Sequence, residues 1–185
     1  IWQDSVLAHL TNELHPLTRD HFPSLLFDGE LYLHGQSLQR INRAVAVNRL
    51  QPIPQTKDIQ YWIFDFLDVD NQLLPFSKRA ETLEYIKARI DHAGLTHIKI
   101  VPTHFCPSMD FTEPLYRQYL ADGYEGLMYR DANAVYGLRE NCGNKENRWT
   151  CLLKRKEWID HEFKITALTI TEGEKGKRGF QLTCI

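Results

Sequence analysis

Two pairs of charged side chains, each placed on one face of a predicted strand, are the groups in this sequence best suited to chemistry. Residues 24–33, SLLFDGELYL, alternate between apolar and polar positions, so Asp28 and Glu30 project from the same face. Two neighbouring carboxylates repel each other unless something offsets their charge. The residues alone leave two interpretations open, a solvent-exposed strand face or a face that binds a ligand.

The second pair is Lys154 and Lys156, which flank Arg155 in the segment LLKRKEW. The two-residue period of a strand puts both ammonium groups on one face, and an anion between them would relieve their repulsion. A phosphate is the natural candidate for that anion. The alternative is a solvated basic edge, because edge strands often carry lysine.

Three other features carry weaker signals. Glu125 opens the apolar strand EGLMYR and could bind Mg²⁺, which prefers oxygen ligands, although a solvated glutamate is the commoner arrangement. Phe64 lies in an aromatic run and could stack on a nucleobase, although such residues more often pack in a core. Lys145 and Arg148 belong to a basic cluster between 143 and 156 that could contact a phosphate backbone or simply face solvent.

The elements that must position these groups follow from hydrophobic periodicity, and their irregular alternation is typical of the α+β class. Pro16 and Pro23 indicate a loop after the first helix, and Ser37 can cap the second. The almost wholly apolar run 59–69 indicates a strand buried on both faces. Helices are predicted at 4–14, 38–45, 77–92 and 112–120, and strands at 24–33, 59–69, 97–103, 124–130, 149–156, 161–171 and 179–185.

Glycine and proline mark the ends of the two clearest helices. Gly94 follows the apolar stripe of the helix at 77–92 and predicts its C-terminal stop. Pro114 lies in the predicted first turn of the helix at 112–120, and Gly123 follows its end. Glu125 therefore comes directly after a helix stop and before a strand.

Composition excludes several classes of protein. The chain has 185 residues, of which 43% are hydrophobic and 25% charged, which is ordinary for a globular domain with a core. Its net charge of −2 excludes binding to nucleic acid through overall positive charge, so phosphate contacts must come from a local patch. No apolar run approaches the roughly 18 residues of a membrane span, and no signal peptide is visible.

The cysteines and the chain ends complete this picture. The sequence contains no CxxC pair, and we expect free thiols in a reducing, cytoplasmic compartment for Cys106, Cys142, Cys151 and Cys184. The chain opens on Ile1 rather than Met and ends on an apolar strand-like run, 179–185, which we expect to need a pairing partner. These ends favour the interpretation that the sequence is part of a longer protein.

The order of four short motifs carries more information than any of them alone. Phe27-Asp28-Gly29-Glu30-Leu31, Phe64-Asp65, Glu125-Gly126-Leu127-Met128 and Leu153-Lys154-Arg155-Lys156 follow one another along the chain. This series resembles that of the covalent nucleotidyltransferases, which include ATP-dependent DNA ligases, RNA ligases and mRNA capping enzymes. The stretch DGELYLHGQSLQ resembles the DNA ligase branch, in particular its phage and bacterial members.

The resemblance implies a fold and two domains. Residues 1–156 would form an α+β nucleotidyltransferase, or adenylation, domain of antiparallel sheets with helices. Residues 157–185 would begin an OB fold, which needs five strands and is therefore expected to be incomplete in this sequence.

The resemblance also implies roles for individual residues. Glu30 would bind the ribose of ATP, Phe64 would stack on the adenine, and Glu125 would help to bind Mg²⁺. Lys154 and Lys156 would hold the phosphates and stabilise charge on the α-phosphate during transfer. Asp28 belongs to the same series without a defined role. The partner would be nicked duplex DNA, with RNA possible, in the cytoplasm of a bacterial or phage-infected cell, in DNA replication or repair.

One element of the family pattern is missing. The family carries a Lys-x-Asp-Gly motif, upstream of the Asp-Gly-Glu motif, whose lysine attacks ATP and becomes lysyl-AMP before AMP passes to a 5′-phosphate and a 3′-hydroxyl displaces it. This sequence has no Lys-x-Asp-Gly, and its first lysine is Lys57, downstream of Glu30. We therefore expect that the sequence given does not complete the first step by itself.

Three alternatives remain at this point. An RNA ligase or capping-type enzyme would carry the same motifs. A non-catalytic nucleic-acid-binding homologue would explain the missing lysine. A carboxylate-based hydrolase using Asp28 or Glu30 with Glu125 would leave the Lys154 and Lys156 pair unexplained.

Overall fold

The computed structural model describes residues 5–46, 50–137, 151–157, 164–172 and 178–184. The chain divides into two compact units, Ile1–Arg155 and Lys156–Ile185. Helices and strands are interleaved, as the α+β prediction requires. The helices are α1 Ala8–His21, α2 Leu38–Ala44, a 3-10 turn at Pro54–Asp58, α3 Phe76–Ala93 and α4 Met109–Ala121. The strands are β1 Leu25–Tyr32, β2 Gln60–Asp68, β3 Ile98–Ile100, β4 Gly126–Arg130, β5 Leu152–Lys156, β6 Ile165–Glu172 and β7 Arg178–Cys184.

A three-stranded sheet in the order β1-β2-β3 organises the first unit. β1 and β2 pair antiparallel, whereas β3 runs parallel to β2. A parallel neighbour needs a crossover connection, and α3 supplies it between β2 and β3. Gly94, in the left-handed conformation with φ 67°, ends α3 where the sequence predicts.

The core of this unit lies on one side of the sheet. Its fully buried side chains include Ile63 and Phe66 of β2, Ile59 directly before β2, and Leu83 and Ile86 of α3. The helical spacing of the α3 residues turns one apolar stripe toward the strands, and burial of this stripe drives the helix onto the sheet.

The prediction that β2 is buried on both faces is wrong. Ile63 and Phe66 are fully buried, but Trp62 and Phe64 are only half-buried. The register shows the reason, because Asp28 pairs with Asp65 and Gly29 pairs with Ile63, which leaves Phe64 as an extra residue. Such a β-bulge redirects side chains and is common next to functional sites. The aromatic run therefore supplies both core residues and a second, accessible face.

The first helix is also longer than predicted. Pro16 lies inside α1 rather than in the following loop. A proline in a helix interior removes one backbone hydrogen bond and costs about 3 kcal/mol. Leu10 and Leu17, seven residues apart on one helical face, are both buried, so packing beyond the proline offsets that cost and the helix continues to His21. α4 likewise begins earlier than expected, at Met109, and contains Pro114.

Position 29 requires glycine because there is no room for a side chain there, and not because of its backbone φ angle. A Cβ atom at this position would lie 2.4 Å from the carbonyl oxygen of Trp62 and 2.8 Å from the ring of Tyr61. We expect Gly29→Ala to destabilise the protein by about 1–3 kcal/mol, because the clash involves backbone that cannot move aside. Urea-induced unfolding measures this loss.

Gly35→Ala is the matched control, since Gly35 has φ +72° but nothing within 4 Å of an added Cβ. Its left-handed backbone costs an alanine roughly 1 kcal/mol. A larger loss at Gly35 than at Gly29 would contradict the steric explanation.

In the second unit the last two predicted strands pair with each other. β6 and β7 pair antiparallel from Glu172–Arg178 to Ile165–Cys184, with one register shift near Ile165. Its assignment to an OB fold stays a prediction. Among the residues that the structure describes, no helix has both the length and the apolar character needed to cross a membrane.

Candidate functional site

Glu30 and Glu125, far apart in the sequence, lie on two segments that meet through the rings of Tyr32 and Tyr124, which are 6.3 Å apart. Glu30 and Tyr32 share one face of β1, and Glu30 is exposed. The pKa of Tyr32 is raised, first by burial and then by the charges of Tyr124, Glu30 and Glu125. The β1 face and the loop before β4 therefore meet.

A group of half-buried aromatic rings lies beside these carboxylates. The ring of Tyr32 contacts that of Trp62 edge-on at 5.1 Å and lies nearly parallel to that of Tyr124 at 6.3 Å. The exposed His34 and the half-buried Tyr119 extend the group, with ring centroids 4.9 and 5.8 Å from Tyr124. This group was not among the predicted site residues, although aromatic residues on neighbouring strands of one sheet indicate cross-strand contacts.

Lys154 and Glu125 form an ion pair. The Nζ atom of Lys154 donates to Oε2 of Glu125 at 2.6 Å, and the two side chains are 49% and 76% exposed. β4 and β5 are hydrogen-bonded neighbours, and this ion pair joins the residue that precedes β4 to the middle of β5. The candidate Mg²⁺ ligand and the candidate phosphate ligand thus occupy one place.

The neighbours of Lys154 on β5 have different environments. Arg155 donates to Glu113 at 2.7 Å, and its guanidinium lies 3.9 Å from the ring centroid of Tyr116. Hydrogen bonds to Tyr129 and then to Glu113 raise the pKa of Arg155. Lys156 is exposed at the end of β5 and belongs to the second unit. The alternation of the strand therefore separates Arg155, which packs on α4, from Lys154.

Phe64 is half-buried rather than fully packed in the core. Its ring lies 5.5 Å from the guanidinium carbon of Arg130. Phe66, two residues on, is fully buried. Phe66 therefore packs in the core, whereas part of the Phe64 side chain stays accessible.

Asp28 is held by a tyrosine from a distant segment. The hydroxyl of Tyr136 donates to Oδ2 of Asp28 at 2.9 Å. Burial, this hydrogen bond and the negative charges of Asp28 and Asp65 raise the pKa of Tyr136. On the core side, burial and then the charge of Asp28 raise the pKa of Tyr61 to about 12. Asp28 is therefore a hydrogen-bonded carboxylate rather than an exposed one.

Asp65, which had no predicted role, is buried in the structure. Its side chain is 2% exposed and accepts hydrogen bonds from Arg79 at 2.7 and 3.1 Å, from the Phe66 amide at 2.8 Å, and from Arg130. The sequence feature that could have indicated a buried Asp65 is Arg79, which lies on the apolar stripe of α3 four residues before Leu83. An arginine in a buried stripe requires an acidic partner.

The predicted basic cluster could not be placed in full, because Lys145 and Arg148 lie outside the described residues. Among the residues that are described, no three His, Cys, Asp or Glu side chains come together as a metal site. A cation at Glu125 would therefore need ligands from elsewhere.

The family model described as ATP dependent DNA ligase domain matches residues 5–151, well over half of the chain. The chain belongs to this ligase domain family. The DNA ligase of African swine fever virus strain Badajoz 1971 is 31% identical over 151 residues, which are 81% of this chain and 33% of that protein. The DNA ligase of the Warthog/Namibia isolate gives the same values. The ligase-like chain thus spans about a third of the length of these curated relatives.

Solved structures show the same fold. The crystal structure of Chlorella virus DNA ligase-adenylate matches with a TM-score of 0.51 and 22% identity, over 85% of this chain and 58% of that chain. A structure from a structure-function study of Lig E DNA ligases matches with a TM-score of 0.56 and 21% identity, over 85% and 61% of the two chains. The α+β prediction and the predicted family are confirmed for this ligase domain.

Proposed function

We propose that the protein is an ATP-dependent DNA ligase that transfers AMP from ATP to the 5′-phosphate of a nick and then seals it. The observation that supports this best is the Lys154–Glu125 ion pair. It joins two of the four motifs across 29 residues of sequence. Glu30 shares one face of β1 with Tyr32, whose ring lies 6.3 Å from that of Tyr124, the residue before Glu125.

The side chains fit the parts of ATP. Phe64 offers a half-buried ring for the adenine, and Glu30 offers an exposed carboxylate to accept hydrogen bonds from ribose hydroxyls. Lys154 offers an ammonium group for the phosphates, and Lys156 is its proposed companion. A phosphate at Lys154 would replace Glu125 as the partner of the ammonium group or bind beside it. Because this position is exposed, phosphate binding costs little new desolvation.

The carboxylate of Glu125 is a suitable ligand for Mg²⁺. Mg²⁺ keeps several waters and binds through one or two carboxylates together with substrate phosphates. A single exposed carboxylate beside a phosphate-binding lysine matches that requirement. When bound, the ion would neutralise negative charge on the phosphates.

The chain's own residues bind ATP and stabilise the negative charge that develops during transfer. Negative charge grows on the α-phosphate oxygens during transfer, and a fixed ammonium group within reach lowers the barrier. The sequence given contains no Lys-x-Asp-Gly motif. The proposed attacking group is a lysine of the natural full-length protein, and nicked duplex DNA is the proposed partner.

Intact-mass spectrometry of the natural full-length protein tests this function. After incubation with ATP and magnesium, we expect one adduct with the mass of a single AMP, which is absent from the 185-residue chain. Pyrophosphate treatment followed by fresh ATP controls for a site that is already filled. Absence of the adduct after this control would contradict the proposal and favour a non-catalytic DNA-binding protein.

Nicked duplexes with DNA or RNA strands separate the two substrate classes. We expect sealing of nicked DNA at least about tenfold faster than sealing of nicked RNA, a difference of roughly 1.4 kcal/mol in transition-state stabilisation. Faster sealing of the RNA nick would replace DNA by RNA as the substrate without changing the adenylation chemistry.

A further inference from the structure

The buried carboxylate of Asp65 binds two guanidinium groups. Arg79 already occupies both oxygens, donating from Nε to Oδ1 at 2.7 Å and from Nη2 to Oδ2 at 3.1 Å. Arg130 adds a second guanidinium on Oδ2. Asp28, the strand partner of Asp65, brings a second negative charge to the same part of the sheet. The charges at this place are therefore balanced, and what distinguishes Arg130 from Arg79 is the set of rings that it contacts.

Arg130 lies against two aromatic rings as well as Asp65. Its guanidinium carbon is 4.9 Å from the ring centroid of Phe76 and 5.5 Å from that of Phe64. Arg79 shares Asp65 and Phe76, but its other ring contact is with Tyr136 at 5.7 Å. Contact with Phe64 thus distinguishes Arg130 from Arg79.

Phe64 needs such a support because the sheet does not hold it in the regular way. It is the extra residue of the bulge between the Asp28–Asp65 and Gly29–Ile63 pairs. A bulged residue is left out of the ladder, and the strand bends locally. The direction of its ring therefore depends on side-chain contacts.

We propose that Arg130, anchored by Asp65, is a positioning residue that fixes the ring of Phe64 for stacking on the purine of the bound nucleotide. This inference rests on the proposed function. The guanidinium contacts the aromatic ring through a cation–π interaction and contacts Asp65 through a charged hydrogen bond. Arg130 acts through Phe64, so its effect belongs to nucleotide binding.

A double-mutant cycle in the natural full-length protein tests this role. The readout is the ATP dependence of adenylation. Arg130→Lys keeps the charge but loses the planar group, and we expect it to raise the KM for ATP roughly three- to tenfold while kcat changes by less than about twofold. In a Phe64→Leu background, the same substitution should change KM by less than about twofold, because the ring it supports is gone.

Arg79→Lys is the matched control, because it loses a bond to the same carboxylate but has no contact with Phe64. We expect it to lower the unfolding temperature and to leave the KM for ATP within about twofold. Equal effects of Arg130→Lys in both backgrounds, or an equal rise in KM for Arg79→Lys, would overturn the positioning role. A wild-type protein without an AMP adduct would instead contradict the proposed function itself.

Discussion

Lys154→Ala should slow the transfer of AMP from ATP by roughly 10²–10³-fold, the loss typical of removing one group that stabilises transition-state charge. The ammonium group of Lys154 lies in the middle of β5, where Glu125 holds it at 2.6 Å. The neighbouring Arg155 does not replace it, since Arg155 is bound to Glu113 and packed on Tyr116, and Lys156 lies two residues further along the strand. Single-turnover formation of the AMP adduct measures the rate.

The same substitution should leave the fold intact. Lys154 and Glu125 are 49% and 76% exposed, and an exposed ion pair contributes about 0–1 kcal/mol to stability. Loss of activity with an unchanged unfolding midpoint would therefore separate chemistry from folding.

Lys87 offers a closely matched control. It pairs with Asp91 at 3.0 Å, and the two side chains are 47% and 63% exposed, but the pair lies on α3. We expect Lys87→Ala to change the adenylation rate by less than about twofold, as for a surface ion pair with no substrate contact. A loss at Lys154 no greater than at Lys87 would remove Lys154 from the proposed mechanism.

Asp65→Asn should destabilise the protein by about 3–5 kcal/mol, the cost of breaking a buried ion pair by removing one partner. The amide keeps the shape of the side chain but loses the negative charge that two guanidinium groups share. The NH₂ group of the asparagine would also face the guanidinium donors, and it cannot accept hydrogen bonds from them. Arg79, which is 3% exposed, would be left without a counter-ion. Urea-induced unfolding of the wild type and the variant measures the difference.

Asp91→Asn is the surface counterpart, because it breaks an aspartate–cation pair in solvent. We expect a change within about 0.5 kcal/mol for this variant. If Asp65→Asn lost no more than Asp91→Asn, the buried network would not be a source of stability.

The local elements of this fold were predictable because they depend on periodicity. The alternation of residues 24–33 predicted β1, and the apolar stripe ending at Gly94 predicted α3. Pro16 was misread because its cost is local, whereas the burial of Leu17 that offsets it depends on the assembled core.

The sequence by itself determined the order of four motifs, and that order was enough to indicate the ligase domain family and to select Glu30, Phe64, Glu125, Lys154 and Lys156 as candidates. Only the tertiary structure decided that Glu125 meets Lys154 and that Arg130 links Asp65 to Phe64. The bulge at Phe64 likewise depends on pairing with β1. Strand periodicity fixes which face a side chain takes, but its partner depends on topology and register, which bring Asp65 to Arg130 across 65 positions of sequence and Asp28 to Tyr136 across 108.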